Sequence, residues 1–104
     1  MDPLARLLRI AAAAGLTGVE PGTSYGTPSI KRSGKFLARL KDEHTLAIRC
    51  PLQEKEVLLE TEPEFYFQTD HYVGHPAILV RLDKIDDTRL QARLQTAWAM
   101  KGKR

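Results

Sequence analysis

The sequence predicts a two-layer α+β sandwich, an antiparallel sheet with its helices gathered on one face. Two observations predict it. Apolar residues recur with a helical period near the N-terminus, alternate strictly from about residue 30, and return to a helical period at the C-terminal end. The chain also has 104 residues, 42% of them hydrophobic and 28% charged, which suits one core and is too short for two. Residues 1–104 are therefore read as a single domain without repeats, linkers or low-complexity segments.

The first helix is marked at both ends. Asp2 is placed to cap it, Pro3 suits its first position, and Gly15 suits the left-handed position just past its end. Leu4, Leu7, Leu8, Ala11 and Ala14 form one face, with Arg6 and Arg9 off it. A loop built on Gly15, Gly18, Pro21 and Gly22 follows. Ile30 and Arg32 then alternate with Ser29 and Lys31, and Ser33-Gly34 makes a two-residue turn into a strand from Lys35 to Lys41. Phe36, Ala38 and Leu40 are expected inward on that strand. After a turn over Lys41–His44, Leu46, Ile48 and Cys50 share the inward face of the next strand. This register leaves Lys31, Lys35, Arg39 and Arg49 on the solvent side, with Leu37 among them.

Pro51–Thr61 reads as a short helix opened by Pro51 and closed by Glu62-Pro63, with Val57, Leu58 and Leu59 buried and the glutamates facing water. Phe65-Tyr66-Phe67 is an aromatic strand fragment, 70–76 a connecting loop, and Ala77–Leu82 a buried strand with Ile78, Val80 and Leu82 inward. The last helix starts at the N-cap Asp86, with Ile85 and Leu90 spaced for a hydrophobic staple. Its stripe is Leu90, Leu94, Ala97 and Trp98, and Lys101, Lys103 and Arg104 form a basic tail.

Composition narrows the function classes. No apolar run approaches the roughly 20 residues of a membrane span, and Arg6 and Arg9 interrupt the one hydrophobic stretch near the N-terminus. The single Cys50 cannot make an internal disulfide, so a cytoplasmic setting is expected. The formal charge is only +3, but it is segregated: six Lys and Arg face two acids between Gly22 and Cys50, and Glu54, Glu56, Glu60, Glu62 and Glu64 surround a lone Lys55 further on.

The run Glu20-Pro-Gly-Thr-Ser-Tyr-Gly-Thr-Pro-Ser-Ile, the later Gly34-Lys35-Phe36, the stretch Thr69-Asp-His-Tyr72 leading through Gly74 and Pro76, and the Trp98 helix together resemble the MmcQ/YjbR-like family over nearly the whole chain. The resemblance implies an α+β domain similar in fold to the secretion-chaperone-like sandwiches and a DNA-binding role, with no enzymatic activity to carry over.

The residues themselves point to the same surface. Several Lys and Arg on a rigid sheet can replace the counterions of a phosphate backbone, and a hairpin is narrow enough to enter a groove. The candidate contacts are Lys31, Arg32, Lys35, Arg39 and Arg49, with Tyr25 as a stacking ring beside them in a loop shaped by Gly26 and Pro28. An alternative reading is a protein- or peptide-interaction module, or a homodimer patch, using the sheet edges and an exposed Leu37. No catalytic, cofactor or metal site is expected. His71 and His75 would share a face only in a helix, and Gly74 and Pro76 make that segment a loop. No glycine-rich phosphate cradle is present, and Cys50 ends a strand as a core residue.

Overall fold

The computed structural model describes residues 2–100 and has the expected α+β architecture. In chain order the elements are α1 (Pro3–Ala13), β1 (Val19–Ser24), β2 (Thr27–Arg32), β3 (Lys35–Asp42), β4 (Thr45–Arg49), α2 (Leu52–Thr61), β5 (Tyr66–Phe67), β6 (Ala77–Arg81) and α3 (Asp87–Ala99). The strands form one antiparallel sheet in the order β1-β2-β3-β4-β6-β5. The basic tail of Lys101, Lys103 and Arg104 lies outside the described residues.

One face of the sheet carries the core. Leu7 and Ile10 of α1, Leu58 of α2, and Leu90, Leu94 and Ala97 of α3 pack in a single buried cluster with Ile30, Leu40, Leu46, Ile48, Ile78 and Val80. Burying this apolar surface is the main force joining the two layers. The local signals behave as read: Asp2 accepts from the Leu4 amide, Asp86 accepts from the Arg89 amide, and Cys50 is buried. Ile85 and Leu90, the two staple residues, are both buried. None of the described helices is long and apolar enough to cross a membrane.

Three expectations change. Val19–Ser24 is a strand, not a loop. Pro21 and Gly22 lower its strand propensity, but β1 is an edge strand paired only with β2, where a proline is tolerated. Next, Leu37 is buried at 2% exposure and Phe36 turns to the other face. The cause is a bulge: Ile30 pairs with Ala38 and Lys31 with Phe36, so Leu37 is unmatched and joins Ala38 in the core. An exposed Leu37, on which the interaction-module reading drew, does not exist. Finally, Trp98 is only half-buried, and Val57 of α2 is exposed while Lys55 on the same helix is buried.

Candidate functional site

The face of the sheet turned away from the helices carries a groove of about 1380 Å³. Its floor and walls come from every strand between β1 and β6 except the short β5. Thr23 and Ser24 end β1, Lys31 lies on β2, and Lys35, Phe36 and Arg39 lie on β3. Ala47 and Arg49 of β4 and Ala77 of β6 complete the floor. The opposite wall is the segment after β5, which includes a 3₁₀ turn (Asp70–Tyr72) and contributes His71, Tyr72, His75 and Pro76.

That wall is held by a lysine. Lys55 of α2 is 2% exposed, and its Nζ donates to the carbonyl oxygens of Tyr72 at 2.5 Å and His75 at 2.9 Å. Loss of hydration pushes the Lys55 ammonium below the ordinary lysine value. The Cys50 amide donates to the Pro76 carbonyl at 2.9 Å, which closes the segment onto the end of β4. The Tyr72 ring receives Lys41 of β3, whose Nζ lies 5.1 Å from the ring centre.

The near wall is a tight hairpin. Tyr25 and Gly26 join β1 to β2 with φ of 53° and 77°, the two positive values that a type I′ turn requires. Gly26 meets that demand without strain, whereas Tyr25 does so against its side-chain preference. Tyr25 is 90% exposed, so no burial offsets the conformation. The Arg39 guanidinium stands 5.1 Å from the Tyr25 ring centre and donates to Thr27 Oγ1 at 3.2 Å. The Thr27 hydroxyl donates to the Ser24 carbonyl. The ring and the cation are thus set by the turn itself.

Of the residues expected at a nucleic-acid surface, Tyr25, Lys31, Lys35, Arg39 and Arg49 all line the groove. Arg32 does not. Its guanidinium lies 3.8 Å from the centre of the Trp98 ring and donates to the Trp98 carbonyl, on the helix side of the sheet. Strand alternation forces this, because Arg32 follows Lys31 and the two must face opposite ways.

Charge pairing separates the two faces. On the helix side Arg6 and Arg9 both reach Asp87, Arg89 bridges Glu62 and Asp86, and Arg93 pairs with Glu54. Among the described residues, Lys31, Lys35 and Arg39 enter no ion pair, and no Asp or Glu lines the groove. Glu20 stands opposite Lys31 in the ladder, but the Lys31 stem lies over Gly22, where an added Cβ would come within 3.5 Å. The positive potential of the groove is therefore left for a ligand.

Sequence reasoning missed Phe36 as a floor residue, the Tyr72 wall and the role of Lys55. The run Phe36-Leu37-Ala38 was the available signal, since three successive apolar residues in an alternating strand mark a bulge. His71 and His75 do come together along the groove wall, but among the described residues no three His, Cys, Asp or Glu are grouped to hold a metal.

Comparison with known proteins places this architecture. The profile of the YjbR family matches residues 14–100, from the end of α1 to the end of α3. The chain belongs to the YjbR family. The match begins just past α1 and covers the whole sheet, its three hairpins and the groove wall. Uncharacterized protein Rv2570 of Mycobacterium tuberculosis and Uncharacterized protein Mb2600 of Mycobacterium bovis are each 44% identical to it over 46 residues. That stretch is 44% of this chain and 36% of each relative, so this YjbR domain spans little more than a third of the curated relatives it matches. No solved structure matches the chain.

Proposed function

We propose that this YjbR domain is a binding module, not an enzyme, and that its ligand is DNA held through phosphate contacts in the sheet groove. One observation carries the reading: Lys31, Lys35 and Arg39 line a groove without carboxylates and have no ion-pair partners among the described residues, while the arginines Arg6, Arg9, Arg89 and Arg93 are all neutralised. Cations spaced along a concave surface displace condensed counterions when they meet a phosphate backbone, and this contribution is independent of base sequence. Membership of the family is consistent with this role.

The test is a fluorescence-anisotropy titration of labelled mixed-sequence DNA at two salt concentrations. Binding should weaken steeply with salt. Lys35→Ala/Arg39→Ala should weaken it for every sequence and lower the salt slope by about 0.7–0.9 per lost contact. Arg9→Ala/Lys84→Ala, which removes two cations away from the groove, should leave both affinity and slope near wild type. No binding at low salt, or equal losses in the two double variants, would remove the groove as a DNA site.

A further inference from the structure

The groove has features that phosphate contacts do not need. Its lining carries apolar surface between the cationic side chains, with Phe36 and Ala77 on the floor and Pro76 on the wall. Tyr25 stands at one rim and Tyr72 at the other. A duplex turns its phosphates outward and hides the faces of its bases by stacking, so it has nothing apolar to lay on a concave aromatic floor. An unpaired strand has both phosphates and bare π-faces.

Resting on the DNA reading above, we infer that the groove takes single-stranded DNA, with bases stacked on Tyr25 and Phe36 and the backbone held by Lys31, Lys35 and Arg39. Three further observations point the same way. The groove is open to solvent and, at about 1380 Å³, larger than the roughly 300–1,000 Å³ of ordinary small-molecule sites, which leaves room for a length of polymer. Tyr25 is held almost fully exposed in a left-handed conformation that asparagine or glycine would adopt with less strain, and strain of this kind collects at ligand sites. The Arg39 guanidinium beside the Tyr25 ring puts a phosphate partner next to a stacking surface, the pairing that non-specific single-strand binders use. Each base has such a face, so recognition is indifferent to sequence.

The experiment compares three labelled probes of about 16 nucleotides at one low salt concentration: a mixed-sequence single strand, the duplex of that sequence, and an abasic strand carrying the same phosphates. The single strand should bind at least about ten-fold more tightly than the other two. Tyr25→Asn, which suits the turn, should lose about five-fold or more on the single strand and nothing on the abasic strand. Phe36→Leu, which keeps an apolar floor without a ring, should act in the same direction. Equal or tighter duplex binding would overturn the inference and leave the DNA reading standing. Equal binding of abasic and normal strands would overturn base stacking. No binding to any probe would overturn both.

Discussion

The guanidinium of Arg32 lies 3.8 Å from the centre of the Trp98 ring and donates a hydrogen bond to the Trp98 carbonyl oxygen, joining β2 to the end of α3. The indole nitrogen of Trp98 donates to the Thr17 carbonyl at 2.7 Å, so the same contact reaches the segment that follows α1. An arginine beside the cationic groove thus serves packing.

Arg32→Ala should therefore cost about 1–3 kcal/mol of stability, the combined scale of a cation–π contact and a charged hydrogen bond. Urea denaturation measures it. DNA affinity of the folded variant should match wild type, and a loss comparable to that of Lys35→Ala/Arg39→Ala would place Arg32 at the ligand after all.

Lys55 ties α2 to the groove wall, and its replacement should loosen that wall. Lys55→Met leaves the carbonyls of Tyr72 and His75 without their donor, a loss of about 1–3 kcal/mol at neutral pH. The pH dependence has a definite sign. Because burial depresses the ammonium pKa in the folded state, the unfolded chain holds more protons on Lys55 between the folded value and the ordinary 10.5. Wild-type stability thus gains a rising contribution as pH climbs through that window, and the variant lacks it. The gap between wild type and Lys55→Met should widen as pH rises towards 10.5; a gap that narrows there would show that the lysine is not titrating low.

His44 gives the opposite sign. Its Nδ1 lies 2.7 Å from Asp83, and that hydrogen bond, followed by the charge of Asp83, raises its pKa above the ordinary 6.5. A raised folded value means that the stabilisation is fully present below 6.5 and is lost as pH rises through the folded value. His44→Ala should lower the melting temperature slightly at about pH 5.5 and not at about pH 8.5. The effect should be small because the pair is exposed.

Tyr25→Asn should raise stability by up to about 1 kcal/mol, since asparagine tolerates the left-handed position better and the tyrosine ring buries nothing. A thermal melt of the variant tests this. A loss of stability would mean that the ring packs against the hairpin and supports it.

Much of the fold was legible because its signals are local. The caps at Asp2 and Asp86 and the Ser33-Gly34 turn depend on a few neighbouring residues, and each element formed where its own chemistry placed it. The cationic candidates were legible for the same reason, since Lys31, Arg39 and Arg49 follow from alternation once the strands are named. The edge strand β1 was hidden because Pro21 and Gly22 look like a loop until β2 is available to pair with them.

What tertiary structure alone decided was which face Phe36 and Leu37 of β3 take and what lies across the far side of the sheet. Alternation is a local rule, but the bulge at Leu37 is set by how β3 registers against β2, and it moves Leu37 into the core and Phe36 into the groove. The division of the arginines between paired and available is likewise long-range: Arg6 meets Asp87 and Arg93 meets Glu54 only after the helices dock. Lys55 is the plainest case. In sequence it is the lone cation among glutamates on a polar helix, and its burial follows only because the backbone carbonyls of Tyr72 and His75, 17 and 20 residues away, turn inward and replace its water.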